Sequence, residues 1–259
     1  MSRSRQGTKS RAPEEALWLL AAPQAPRAAN GGTGPATRAG GLSRDQIVAA
    51  AIAVADAEGP ESISMRRIGR ELKVSAMSLY WHVASKEDLL ALMIDAVEGE
   101  IEISPPSGDW RADVTSTARQ YRRVLLEHGW MTACIGGRRS LGPNELLHIE
   151  HSLATLDHLG LSIREAFNVL MAIETYYLGF ALREQQELKL ERAREQMEAR
   201  ELGAIISSEA ARLRAADRYP HLVTLFEEGR LLTRDERFEY GLARLLDGIE
   251  ADLHRDAVP

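Results

Sequence analysis

The residues best equipped for chemistry lie together between Ser64 and Lys86, in the stretch SMRRIGRELKVSAMSLYWHVASK. Arg66, Arg67, Arg70 and Lys86 offer cationic donors, Ser78 and Tyr80 hydroxyls, and His82 an imidazole. Donors of this kind bond phosphate oxygens and the edges of bases. To act together they need elements that hold them on one surface. Ile68 and Leu72, four apart, mark the inner face of a short helix over Met65 to Lys73, with the arginines largely on other faces. Lys73-Val74-Ser75 interrupts that pattern. Ser75 then suits the N-cap of a second short helix reaching His82, because its hydroxyl can accept an orphan backbone N–H. Two short helices joined by a tight turn make the outline of a helix-turn-helix. Ser85, with Asp88 three residues on, predicts a capping box that opens a further helix.

The ordered series Ser78-Leu79-Tyr80-Trp81-His82-Val83, followed by Ser85-Lys86-Glu87-Asp88-Leu89-Leu90, resembles the DNA-binding signature of tetracycline-repressor (TetR) family regulators. The resemblance is strong over Leu42 to Val97 and weaker beyond. It implies an all-α protein: an N-terminal three-helix helix-turn-helix DNA-binding domain, then a helical ligand-binding and dimerisation domain. It also implies that Ala76, Met77 and Ser78 lie at the end of the recognition helix that enters the major groove. There Ser78 can donate or accept, and Ala76 and Met77 can pack on a thymine methyl. Arg66 matches a family position that reaches a base or phosphate, and is the candidate for guanine recognition. Tyr80, His82 and Lys86 match phosphate-clamping positions that fix register. Met65 and Met77 stand where the tetracycline repressor has a polar residue and a proline, so a different operator is expected.

The 259 residues suffice for about two domains. Of these, 44% are hydrophobic, enough to supply a core. No apolar run reaches the roughly 18 residues of a spanning helix, so no membrane insertion is expected. Ala16 to Ala22 is apolar but short, follows Glu14-Glu15, and makes a poor secretory segment. Cys134 stands alone, which excludes an internal disulfide and fits a reducing cytoplasm. The net charge of −6 argues at first against a DNA partner. Its distribution weakens that objection, because residues 1–41 hold six basic side chains against two acidic ones and the acidity lies elsewhere. Affinity for DNA depends on the cations that reach phosphates, while distant acidic surface is partly screened.

Residues 1–41, rich in Arg, Ser, Gly, Pro and Ala, read as a disordered basic tail. An arm that adds phosphate or minor-groove contacts is the functional alternative. Residues 42–98 form the helix-turn-helix domain. Ser43 with Gln46 caps its first helix, whose Ile47, Val48, Ala51, Ile52 and Ala55 join Ile68, Leu72, Val74, Leu79 and Leu89 in a small core. Trp81 is expected in that core as well, for its aromatic mass. A helix from about Lys86 to Val97 joins this head to the helical effector-binding and dimerisation body, residues 99–259. Further helices are expected at about 110–128, 143–159, 163–199 and 233–254, with another near 203–215. Ser162 with Glu165, and Thr233 with Glu236, supply capping boxes for two of them. The charged run Gln185 to Glu201 reads as a solvated helix extension or hairpin tip.

Ala166, Val169, Leu170, Ile173, Tyr177 and Ala181 form one apolar helical stripe. Phe238, Leu242, Leu245, Leu246, Ile249 and Leu253 form another on the last helix. By amphipathicity either suits an ordinary monomer core. The family resemblance implies instead that both helices pair with their symmetry mates in a homodimer, whose recognition helices read a roughly palindromic operator with centres about 34–36 Å apart. The resemblance further puts Thr117, Tyr121, Ser140, Leu141, Ser152, Phe167, Leu170, Met171 and Thr175 at effector-pocket positions. An apolar lining with a few hydroxyls suits a largely hydrophobic small molecule. On the same resemblance Gly136 or a neighbour, Thr175 and Arg183 stand where the tetracycline repressor holds its magnesium-chelated drug, so magnesium-tetracycline is not the expected effector and no cofactor is expected.

His148 and His151, three apart near Glu145, are a helical spacing that can bind a transition metal. A third ligand is not evident and HExxH is absent, so no metal site is assigned. No GxSxG elbow, phosphate loop or suitably spaced Cys-His pair occurs, and no catalytic residue is assigned. The reading is a cytoplasmic, ligand-responsive DNA-binding regulator, a repressor released from its operator by a small apolar effector. Its rivals are an activator of the same fold and a helical ligand-binding or enzymatic protein that does not use its DNA head.

Overall fold

The computed structural model describes residues 42–134, 142–197, 208, 212, 218–228 and 231–256. Among the described residues the regular structure is helical, with no strand. By packing, the chain divides into two compact units: Met1–Glu100 with Ala133–Glu150, and Ile101–Thr132 with His151–Pro259.

The first unit is built on α1 (Arg44–Glu58), α2 (Met65–Glu71), α3 (Ala76–Tyr80) and α4 (Lys86–Glu98). Each follows a serine. The hydroxyls of Ser43, Ser64, Ser75 and Ser85 accept from the amides of Gln46, Arg67, Ser78 and Asp88, satisfying donors that the helix cannot. Gln46 returns the bond to Ser43, completing the expected box, whereas at Ser85 the structure shows only the serine half. Ile47, Ala51, Ile68, Leu79, Leu89 and Met93 are fully buried and make the core.

Trp81, expected in that core, is 85% exposed. Leu79 and Val83, four apart, both turn inward. That spacing turns Trp81, midway between them, to the opposite side.

Helix α7 (Pro143–Leu156) begins in this unit, and α4 receives its first turn. The Asp95 carboxylate accepts from the Asn144 amide at 2.8 Å, and Asn144 Nδ2 donates to the Asp95 carbonyl at 2.9 Å. One turn on, buried His148 donates from Nε2 to the Glu98 carbonyl at 2.8 Å. Gly142 is needed beside them, because a side chain there would fall on the Asp95 carboxylate. Of the histidine pair, His148 is thus committed to a backbone acceptor.

The second unit contains α5 (Trp110–Glu127), α8 (Ile163–Glu195), α9 (Pro220–Glu227), α10 (Arg234–Asp256) and the last residues of α7, from His151. The single turn α6 (Met131–Cys134) lies at the division. Helix α5 packs against α8, with Tyr121 stacked on Tyr177 at 4.7 Å and Gln185 Nε2 donating to the Leu125 carbonyl at 2.6 Å. Helix α10 runs against α8 in the opposite direction: Arg234 meets Glu191, Arg237 meets Glu187, and Gly241 lies against Tyr176. The Arg122 guanidinium ties all three helices. It bonds Glu184 through Nε and Nη2 at 2.7 and 2.8 Å, bonds Asp235 at 2.7 Å, and lies over the Phe238 ring at 4.8 Å.

Both apolar stripes turn partly inward within this unit. Ala166, Ile173, Tyr177 and Ala181 of α8, and Phe238, Leu242 and Leu246 of α10, are buried, while Val169, Leu170, Leu245, Ile249 and Leu253 are half-buried. Ala172, Thr175, Gly179 and Leu182 form the exposed side of α8 instead. The reading of the run from Gln185 as solvated needs correction at its start. Gln185 is buried against α5, and exposure is continuous only over residues 189–196. The helix expected near 203–215 lies outside the described residues apart from two positions, while α6 and α9 were not expected. No helix among the described residues is long and apolar enough to cross a membrane.

Hydrogen bonds from Arg237, then Arg183, lower the Glu187 carboxyl from 4.5 to about 2. A carboxyl that titrates lower when folded supports the fold above its unfolded value, and that support is lost as pH falls through the folded one. Thermal midpoints measured between pH 5 and pH 2 should therefore fall more steeply for the wild type than for Glu187→Gln. Parallel curves would assign Glu187 no part in acid stability.

Candidate nucleic-acid interface

The geometry of the site starts from a close approach between α2 and the turn that follows. A Cβ on Gly69 would sit 2.8 Å from the Val74 carbonyl oxygen, so only glycine lets the turn pass this near. Val74 N donates to the Gly69 carbonyl at 2.8 Å, and Lys73 takes φ +55 to reverse the chain. A non-glycine residue seldom adopts that conformation, and hydrogen bonds on both sides hold it here. Ser75 then opens α3, and its hydroxyl also lies 2.8 Å from that of Ser78.

Helix α3 has five residues, of which Leu79 alone is fully buried. The other positions are turned outward to different degrees. Met77 is 69% exposed and Tyr80 50%, while Ala76 and Ser78 are half-buried. Beyond the helix, His82 is half-buried, and its carbonyl accepts from Arg44 Nε at 3.4 Å. Arg66 on α2 and Lys86 at the start of α4 are exposed. The structure thus sets Ala76, Met77, Ser78 and Tyr80 on one short helix, with Arg66, His82 and Lys86 on the elements flanking it.

Arg67 does not belong to the exposed cations. It bonds Glu58 through Nε at 3.1 Å and Nη2 at 2.6 Å, and Glu71 through Nη1 at 2.8 Å. Those carboxylates raise its pKa above the ordinary arginine value, and Arg67 in turn lowers that of Glu58. Its role is to join α1 to α2. Sequence reasoning missed this pairing, and also the outward Trp81, legible from the Leu79/Val83 spacing, and the Arg44 contact to His82, which no local pattern announces.

In the second unit, the effector-pocket candidates are spread over three helices. Thr117 and Tyr121 lie on α5, Ser152 on α7, and Phe167, Leu170, Met171 and Thr175 on α8. All are half-buried except Thr175, which is exposed. The hydroxyls of Thr117 and Thr175 donate to the Asp113 and Met171 carbonyls of their own helices, at 3.1 and 2.7 Å. Ser140 and Leu141 lie outside the described residues.

Short capped helices, a tight turn and a solvent-facing second helix beside exposed cations define a helix-turn-helix DNA-binding protein. The family model described as "Bacterial regulatory proteins, tetR family" matches residues 47–93, and "Tetracyclin repressor-like, C-terminal domain" matches residues 104–253. The chain belongs to the TetR family and is a DNA-binding transcriptional regulator. It is 33% identical to the HTH-type transcriptional repressor DrrR1 of Streptomyces coeruleorubidus, over 81% of this chain and 77% of that protein. It is 38% identical to an HTH-type transcriptional regulator of Saccharopolyspora erythraea over 53% of this chain, and spans only 59% of that relative's length. Among solved structures, apo ActR of Streptomyces coelicolor superposes with a TM-score of 0.69 at 30% identity, covering 85% of this chain and 100% of ActR.

The Gly69 contact yields a test of the turn. Gly69→Ala should lower both the melting temperature and operator affinity, because the added methyl must push Val74 and α3 away. A variant that melts and binds like the wild type would show that the turn yields freely.

Proposed function

We propose that this chain is a cytoplasmic homodimeric repressor, without enzymatic activity, that leaves a roughly palindromic operator when a small, largely apolar molecule binds its helical body. The observation that carries this reading is the docking of α3 by Leu79, with Met77, Tyr80 and Trp81 left facing solvent. In this proposal residues 42–98 read DNA, and residues 99–259 bind the effector and dimerise. Ala76, Met77 and Ser78 meet base edges, with Arg66 reaching a guanine. Tyr80, His82 and Lys86 hold phosphates, and Trp81 adds an apolar plate beside them.

Small-molecule control is supported by the structure of ActR with actinorhodin bound, at 31% identity and a TM-score of 0.67 over 82% of this chain and 99% of ActR. The effector of this chain would touch Tyr121, Ser152, Phe167, Leu170 and Met171, together with Thr117, Thr175 and the segment holding Ser140 and Leu141. Helix α7 would carry the signal. It holds α4 through Asp95–Asn144 and His148–Glu98, and bears Ser152 further along. The effector must bind the released state more tightly than the DNA-bound one, or nothing shifts. The second copy would dock on the faces of α8 and α10 left open, Ala172, Gly179 and Leu182 of α8 with Tyr240 of α10, together with the half-buried ends of the two stripes.

A gel shift at stated salt, on DNA flanking the gene and against scrambled competitor, tests the reading. The wild type should give a specific shift that Tyr80→Ala abolishes. Arg66→Ala should weaken binding about tenfold or more and relax one base position. Lys86→Ala should weaken all sequences alike and lower the salt slope by about one unit. No specific shift there, and none after selection from random sites, would sink the regulator.

A further inference from the structure

Helix α1 buries Ile47, Val48, Ala51, Val54 and Ala55 and serves the head as a scaffold. Its first turn makes a contact of another kind. Arg44, the first residue of α1, is exposed, and its Nε donates to the His82 carbonyl at 3.4 Å. That carbonyl belongs to the turn that joins α3 to α4. His82 is also tied to α3, since its amide donates to the Leu79 carbonyl at 2.9 Å. The His82 backbone thus links the recognition helix to the start of α1.

Stability does not account for this arginine. A long bond to an exposed carbonyl replaces one that water would make, and contributes little. A cation in the first turn of a helix also meets the positive end of the helix dipole, which disfavours it. The other arginines of the head differ. Arg70 sits in the last turn of α2, where the dipole favours a cation, and Arg67 is consumed by Glu58 and Glu71. Among the described residues no carboxylate pairs with Arg44.

One part of the side chain is left open. A guanidinium is a rigid plane with five N–H donors. With Nε turned to His82, the fork of Nη1 and Nη2 has no acceptor among the described residues. Such a fork matches two oxygens of one phosphate. The His82 carbonyl stands in the residue whose imidazole is to hold a phosphate, and a bare carbonyl would repel that anion. Arg44 covers the carbonyl and brings a positive charge to the same place.

We propose that the first turn of α1 belongs to the DNA interface and that Arg44 binds a backbone phosphate beside His82. This rests on the DNA-binding reading of the head and adds to it an element outside the helix-turn-helix. A phosphate contact carries no sequence information, so Arg44 fixes how the head lies on the duplex rather than which bases it reads.

The test is the affinity of the full-length protein for its operator and for scrambled duplex, followed across potassium chloride concentrations. Each phosphate neutralised contributes about 0.9 to the slope of log affinity against log salt. Arg44→Gln keeps a donor for the His82 carbonyl but has no charge. It should lower the slope by about 0.9 and weaken binding about eightfold at about 0.1 M salt, on both duplexes alike. Its melting temperature should match the wild type. Arg44→Lys keeps the charge and should keep the slope. An unchanged slope in Arg44→Gln overturns the proposal and leaves Arg44 a brace for the turn. A slope lost equally in Arg44→Lys, or lost on the operator alone, overturns it too. Only a wild type that binds neither duplex would sink the DNA-binding reading as well.

Discussion

Leu79 decides whether α3 has any position at all. A helix of five residues does not form on its own, because its nucleation cost exceeds what so few hydrogen bonds return. Burying one leucine contributes about 1.5–3 kcal/mol, and a serine cap about 1 kcal/mol more. Leu79 and the Ser75 cap are the local sources of that order, and Gly69 lets α2 come close enough for both to act. Everything the head shows to solvent follows from this anchoring. With Leu79 inward, Met77, Tyr80 and Trp81 have nowhere to go but out.

The body is organised by charge as much as by apolar packing. Arg122 is largely enclosed, bonded to carboxylates from α8 and α10 and laid over an aromatic ring. A cluster of this kind adds little net stability, since desolvation offsets much of the attraction, but separating its members is costly. Arg111 to Asp247 and Glu250, and Arg119 to Glu239, repeat the same α5–α10 link along the helices. Together they admit one register between α5 and α10, and so fix the surface that α8 presents.

Much of this was legible in the sequence because it is local. Caps, helix spans and the turn depend on residues a few positions apart, and Ser43–Gln46, Ser162–Glu165 and Thr233–Glu236 form as their spacing requires. What was not legible depends on partners distant along the chain. Arg67 looks like part of a cationic face until Glu58 folds against it. Gln185 looks solvated until Leu125 and Thr132 arrive beside it. The stripe on α8 cannot reveal from its own residues whether it faces α5 and α10 of the same chain or a second copy. Trp81 is the exception. Its placement was available from the Leu79/Val83 interval, and was masked by the general tendency of tryptophan to be buried.

The exposed indole has an optical consequence. Trp110 and Trp130 are buried, whereas Trp81 is open to water beside the recognition helix. Its emission belongs to the red-shifted, readily quenched part of the spectrum, and that of Trp110 and Trp130 to the protected part. With Trp18, the fourth tryptophan of the chain, replaced by phenylalanine, Trp81 is a native fluorophore at the surface where DNA would bind, so occupancy of the head can be followed in unlabelled protein, separately from events in the body.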